Sequence, residues 1–281
     1  MAPDLLLITW NRRHYLERTI RQLLDDSSDF RLYCWDNGSQ DGTQDIIASL
    51  DDPRIVAKRM EPENVGQAPA CYWFFDEAKS DVIGKVDDDI LLPAGWTARL
   101  EPMLRKHPEF GMLGGWVFLP EEWNEQKAEQ NIVQVGDFRV LQRLTVQGHS
   151  FLCRKSYLQK YVTRDRSHGL PIDRRQMSID GLISGFPVPP IFLHNMDDPR
   201  SEHYAYKDEI AIDGQAALTA RVRGFQCHED YAAWIAEDAR QTLEVPFEER
   251  LKKAILGRDP TLKGRIKRKI VSYAPSMLRF M

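Results

Sequence analysis

Asp87, Asp88 and Asp89 form the run in this sequence with the clearest chemical purpose. Three adjacent carboxylates repel one another, and a packed core has no use for them. A hard divalent cation removes the repulsion by taking oxygen ligands, and then offers its own charge to a phosphate. For an isolated run the alternative is an acidic turn in water. Here the run follows the apolar stretch Val82–Val86 and precedes Ile90-Leu91-Leu92-Pro93, which puts it at a strand exit. Lys85 lies just before it, placed either to meet a diphosphate or to pair with one of the acids. Trp96, Trp116 and Trp123 are of the type that stacks on a sugar face, although most Trp side chains belong to cores.

Such a run works only if the fold delivers it to one edge together with its partners. Leu5-Leu6-Leu7-Ile8 has the size of a buried strand, and Tyr15, Leu16, Thr19, Ile20, Leu23 and Leu24 recur at helical spacing after it. Phe30 to Trp35 reads as a second strand, closed by the turn signal Asp36-Asn37-Gly38. A helix capped by Ser39 or Asp41 carries Ile46, Ile47 and Leu50, and Arg54 to Lys58 is a third strand. Gln67 to Ala78 is a helix with Cys71, Tyr72, Phe75 and Ala78 along one face, and Val82 to Val86 is the fourth strand. This alternation predicts an α/β protein with a mostly parallel sheet covered on both faces, whose ligands collect at the carboxyl ends of the strands. Thr9 to Arg12, Asp36 and Asp87 to Asp89 all fall at that edge.

The second half is less regular. Phe110 to Leu119 and Ile132 to Val146 read as strands, Gly148 to Tyr161 as a strand or turn entering a helix, and Ala211 to Arg223 and Tyr231 to Leu243 as helices. Residues 163–203, rich in Pro, Asp, Arg and His, read as a long functional loop region. From Leu251 the chain turns basic: nine Lys or Arg against one acid give 251–281 a charge of +8, leaving −12 for the rest.

Composition excludes several classes. With 281 residues, 42% hydrophobic, 28% charged and a net charge of −4, the chain suits one large or two modest globular domains and not a dedicated nucleic-acid binder. Cys34, Cys71, Cys153 and Cys227 lie far apart with no CxxC pair, a pattern of reduced thiols rather than of a zinc cage or disulfide scaffold. The apolar run near the N-terminus is four residues long with no basic flank, unlike a signal peptide. Gly181 to Met196, the longest uncharged stretch, carries three prolines and is too short to span a bilayer. A soluble, cytoplasmic protein is expected.

Taken in order, LLLITWNR (5–12), DNGSQDGT (36–43), ENVGQAPA (63–70) and VIGKVDDDILLPAGW (82–96) resemble the family 2 glycosyltransferases with the GT-A fold. The resemblance covers about the first hundred residues. It implies a GT-A domain over 1–245, with a nucleotide-binding half (1–100) and an acceptor half (101–245), and a basic amphipathic tail (246–281). By the same resemblance Thr9 and Asn11 line the nucleotide pocket, and Asp36 accepts a hydrogen bond from the base, as a carboxylate can from an imide N–H. Asn64, Gly66 and Gln67 match an N-x-G turn beside the ligand. Asp87, Asp88 and Asp89 match the D-x-D motif, whose first acid approaches the ribose and whose last coordinates Mn²⁺ or Mg²⁺ on the diphosphate.

The reaction implied is inverting displacement at the anomeric carbon of a nucleotide sugar, UDP-linked by default, by an acceptor hydroxyl. The family's base is an acid preceding a helix well after the D-x-D. No clean E-D pair is present; Asp180 is the first choice, Asp173 the second, and Asp208, Glu209 and Asp213 follow. His194 matches a metal-binding His, with His203 behind it. The acceptor is a carbohydrate or a lipid-linked one. The apolar residues interleaved with the basic tail, Ile266, Ile270, Val271, Leu278 and Phe280 among them, suit peripheral contact with the inner face of an anionic membrane. Two other classes compete. One is a catalytically silent nucleotide- or carbohydrate-binding module. The other, a sugar nucleotidyltransferase, would need a Gly-rich loop at the first strand exit, which LLLITWNRR lacks.

Overall fold

Four short segments form parallel strands, three of them ended by a polar residue: β1 (Asp4–Thr9), β2 (Arg31–Asp36), β3 (Ile55–Met60) and β4 (Val82–Asp87). All of β1 is buried, as expected of a strand covered on both faces. The structure is a computed structural model that describes residues 1–163, 169–204, 220 and 223–258. Later in the chain come β5 (Ile90–Leu91), β6 (Phe110–Gly114), β7 (Ile132–Val135), β8 (Phe138–Gln142), β9 (Ser150–Arg154), β10 (Ile183–Val188) and β11 (His194–Asn195). One nine-stranded sheet takes the order β3-β2-β1-β4-β9-β6-β10-β8-β7, and β5 pairs with β11 apart from it. The strand β9 runs antiparallel between β4 and β6, so β6 and its parallel neighbour β10 point the same way as β1 and β4.

Helices α1 (Arg13–Asp25), α2 (Thr43–Ser49) and α3 (Gln67–Glu77) return the chain between the parallel strands, and α4 (Trp96–Lys106) leads to β6. In α1 the buried residues Tyr15, Leu16, Thr19, Ile20 and Leu23 are among those the periodicity marks, while Leu24 is half-buried. Three short helices follow, α5 (Glu125–Ala128), α6 (Leu158–Tyr161) and α7 (Arg174–Ile179), and then a long one, His228–Glu244. The first part of the expected basic tail is a helix, Phe247–Arg258, whose Phe247, Ala254 and Ile255 are buried. The rest of the tail lies outside the described residues, as does most of the helix expected over Ala211–Arg223. Among the described residues no helix is long and apolar enough to cross a membrane.

The structure departs from the sequence reading mainly in the second half. The strand expected at Phe110–Leu119 ends at Gly114, and that expected at Ile132–Val146 is a hairpin, β7 and β8, turning at Gly136-Asp137. The stretch 163–203 is not one loop: it holds α7 and the internal strand β10. Gly185 makes that strand possible, because a Cβ there would stand 2.0 Å from the Leu141 carbonyl oxygen across the ladder. Trp96 and Trp116 are buried in the core, and Trp123 packs edge-on to Trp116 at 5.1 Å, so the first two are closed to any sugar. Cys34, Cys71 and Cys153 are buried free thiols, each pushed up to about 12 chiefly by burial.

Candidate active site

Strand register brings the polar exits together. Thr9 is paired with Asp36, and Ile8 with Asp87, so three strands deliver a polar side chain to one edge within a one-residue step of each other. Asp36 is fully buried, and its Oδ1 accepts from the amides of Gly38 (3.1 Å) and Ser39 (2.9 Å) and from Gln44 Nε2 (2.8 Å). Its Oδ2 is buried with no hydrogen-bond partner among the described residues. Leaving such an acceptor unsatisfied costs about 1–3 kcal/mol, so the position is open to a donor from a bound ligand.

The turn after Asp36 is locked to the N-x-G turn. Gly38 has φ +77°, and a Cβ there would stand 2.5 Å from the Glu63 backbone carbon, so only glycine permits the approach. Asn37 then donates to Asn64 Oδ1 (2.8 Å) and accepts from the Val65 amide (3.0 Å), while the Gly66 amide donates to Asn64 Oδ1 (2.9 Å). Gln67 opens α3 directly behind. Asn11, at φ +50°, donates its amide to Ser39 Oγ (2.8 Å) and accepts from the Gln40 amide (2.7 Å).

Each acid of the triplet has its own cation or hydroxyl. Buried Lys85 pairs with Asp87 and donates to the Gly148 carbonyl (3.0 Å). Asp88 accepts from the Thr9 hydroxyl (2.6 Å), and its carbonyl accepts from the Thr19 hydroxyl (2.7 Å). Asp89 accepts from Arg12 Nη1 at 2.5 Å, which also lies 3.7 Å from Asp88, while Arg12 Nη2 donates to Asp197 at 2.9 Å. Burial raises Asp87 to about 6 and Asp88 to about 7, against the opposing pull of Lys85 and Arg12 respectively. Burial alone would lower Arg12, but Asp197, Asp89 and Asp88 hold it well above its ordinary value. Arg12 entered the sequence reading only as the end of a strand exit. The available signal was a cation placed at the edge where the acids were expected.

The structure therefore gathers Thr9, Asn11, Asp36, Asn64, Gly66, Gln67, Lys85, Asp87, Asp88 and Asp89 along one edge. It does not bring Asp180 there. Asp180 ends α7 three residues before β10, whose first residue Ile183 pairs with Phe110 at the start of β6, so it stands at the opposite edge of the sheet. There it accepts from Tyr161 (3.0 Å) and Gln176 (2.7 Å) and pairs with Lys160 (2.6 Å). Asp173 caps the other end of α7, accepting from the Gln176 amide at 3.0 Å. Next to it Arg174 donates to the Val146 carbonyl (2.5 Å), and the same strap holds Asp87, whose amide donates to the His149 carbonyl (2.7 Å). Asp208, Glu209 and Asp213 lie outside the described residues.

His194 pairs with Leu91 in the small ladder and packs edge-on to His203 at 5.1 Å; His203 Nδ1 lies 3.0 Å from Arg18. Among the described residues no three His, Cys, Asp or Glu converge as a metal shell. The side chains of Asp87 and Asp89 retain 25% and 14% exposure, against 7% for Asp88. Two accessible hard oxygen ligands without a cage suit Mg²⁺ or Mn²⁺ that is held partly by substrate phosphates.

A mixed sheet whose parallel exits carry these polar groups is the GT-A fold of the nucleotide-sugar transferases. Glycosyl transferase family 2 matches residues 4–165, over half of the chain, and the chain belongs to that family. Among solved structures, the mannosyltransferase PcManGT from Pyrobaculum calidifontis, in complex with GDP-Man and Mn²⁺, is 14% identical with a TM-score of 0.56, over 98% of this chain and 82% of that one. S. aureus TarS 1-349 with UDP-GlcNAc is 10% identical with a TM-score of 0.54, over 97% and 73% of the two chains. The same TarS fragment with UDP is 12% identical with a TM-score of 0.52, over 95% and 88%. At these identities the likeness is one of fold. No curated protein sequence matches the chain.

Proposed function

We propose that this protein moves a sugar from a nucleoside-diphosphate sugar to an acceptor hydroxyl, with inversion at the anomeric carbon. The carrying observation is the buried Asp36 Oδ2, without a partner among the described residues, in strand register with Thr9 beside the Asp87–Asp89 exit. A nucleobase imide N–H is a donor of the required kind. Uracil and guanine both offer one, and UDP-GlcNAc and GDP-Man are the donors bound by the structural neighbours. UDP remains the default.

In this reading the turns at Asn37 and Asn64 wall the nucleoside, Asp87 lies toward the ribose, and Asp89 with Asp87 would hold the divalent ion. Such an ion, once bound, supplies positive charge to the departing diphosphate. Thr9 keeps Asp88 in place by its hydroxyl. Asp173 takes the acceptor proton as the hydroxyl attacks: it precedes a helix as the family's base does, and it stands beside the strap that holds Asp87. A base in that role contributes about 10²–10⁴-fold. The acceptor is a carbohydrate or a lipid-linked carbohydrate, met by the second half of the domain, with the basic tail resting on the membrane.

The test is thermal stability against UDP, GDP, dTDP and CDP, each with and without Mn²⁺. Ligand that binds only the folded state raises stability with its concentration over Kd. A metal-dependent shift with UDP or GDP that Asp36→Ala abolishes is the expected result. No shift with any nucleotide would overturn the donor site and leave a silent binding module.

A further inference from the structure

Arg12 is buried at 6% exposure among three carboxylates, a position that nucleotide binding by itself does not explain. We propose that Arg12 is an internal counter-ion that keeps the divalent-cation site closed until a nucleoside diphosphate arrives, so that metal and nucleotide bind together or not at all. The inference rests on the donor-site reading above.

The two guanidinium nitrogens divide the work. Nη1 is 2.5 Å from Asp89 Oδ2 and 3.7 Å from Asp88 Oδ1, while Nη2 is 2.9 Å from Asp197 Oδ1, on a segment far along the chain. Asp89, which the donor-site reading gives to the metal, thus already carries a cation at hydrogen-bond distance. A divalent ion landing there meets that charge at close range in a buried setting, where solvent and salt screen little. The protein offers the ion little in return, since no three ligand-type side chains converge among the described residues. Arg12 cannot step aside by losing its proton, because a guanidinium stays charged throughout the working range.

A diphosphate changes both sides of this balance. Its oxygens complete the coordination shell that the protein leaves open. Its negative charge also gives the guanidinium an alternative partner to Asp89, for which the planar fork is well suited. Arg12 can then share Asp89 with a metal without being left buried and unpaired. The Asp197 contact keeps it in place meanwhile: Asp197 belongs to a segment whose next residue, Asp198, is gripped with Glu122 by Arg200 at 2.7 and 2.6 Å.

The experiment is a Mn²⁺ titration followed by electron paramagnetic resonance, in which bound ion drops out of the aqueous signal. It is run at about pH 8, where carboxylates raised by burial are still largely ionised. Wild type, Arg12→Gln and Arg12→Lys are compared with Mn²⁺ alone and with Mn²⁺ plus UDP or GDP, with circular dichroism and thermal transitions confirming the fold. Wild type is expected to bind Mn²⁺ only with nucleotide. Arg12→Gln is expected to bind Mn²⁺ alone about tenfold or more tighter than wild type, the worth of one charge-assisted hydrogen bond. Arg12→Lys should fall between, since one ammonium cannot span Asp89 and Asp197. Wild type that binds Mn²⁺ equally well without nucleotide overturns the proposal, as does a folded Arg12 variant that still needs nucleotide as wild type does. Wild type that binds nucleotide but never Mn²⁺ overturns the metal assignment and the gate with it. Wild type that binds neither overturns the donor site itself.

Discussion

The two halves of this domain position functional groups by different means. Strands β1, β2 and β4 each end in a polar residue, so a local unit of strand and turn brings Thr9, Asp36 and Asp87 to one edge. In the second half the groups that reach the same edge arrive from loops held by distant partners. Asp197 is fixed by Arg12, 185 residues away, and the strap at Val146–His149 is fixed by Arg174, Lys85 and Asp87. The first half thus carries a site inherited from its sheet, and the second builds one by cross-links. Local damage in the first half should cost binding. Damage in the second should cost turnover while sparing the nucleotide.

Asp173→Asn gives the widest separation: kcat should fall about 10²–10⁴-fold with nucleotide affinity unchanged, measured by sugar transfer and by calorimetry with UDP or GDP. Loss of nucleotide binding would erase the contrast between halves. Asp89→Asn should lower turnover by about 10²–10³-fold, as loss of a charge-stabilising group does, and should also abolish nucleotide-dependent Mn²⁺ binding. Thr9→Val removes the hydroxyl that Asp88 accepts from, and should destabilise the fold by about 1–3 kcal/mol in chemical denaturation. The same change should push Asp88 higher still, because that hydrogen bond lowers it.

The smallest effect is expected at the opposite edge. Burial pushes Asp180 upward, but hydrogen bonds from Lys160, Gln176 and Tyr161 outweigh it and hold the group below its ordinary value. Such a group stabilises the fold above the unfolded carboxylate value, about 3.9, and loses that contribution as pH falls through its folded value. Asp180→Asn should therefore keep wild-type turnover, and its stability should differ from wild type near neutral pH and converge with it in acid. A turnover loss comparable with that of Asp173→Asn would place the base at the wrong end of α7.

The sequence was legible where structure is local. The apolar runs that end in Thr9, Asp36 and Asp87 announced both the strands and the edge, and the register did the rest. It was opaque where contacts are remote. Nothing near Arg12 says that its partners lie 77 and 185 residues on. Asp180 and Asp173 sit seven residues apart in the sequence, yet a single short helix puts them at opposite ends, and only the pairing of β10 with β6 tells that Asp180 lies at the edge away from the acids. The strand β10 itself was hidden by Pro187 and by Gly185, a residue that weakens a strand pattern and is required there by the Leu141 carbonyl. The ring contact between His194 and His203 is another remote pairing that the sequence does not announce.

Asp197 and Asp198 are neighbours in the chain but answer to separate anchors, Arg12 on one side and Arg200 with Glu122 on the other. That arrangement fixes the spelling of the segment as well as its shape. A single residue inserted between the two acids would leave one anchor engaged and slide the other out of reach. This stretch should therefore accept exchanges of side chain far more readily than any change in its length.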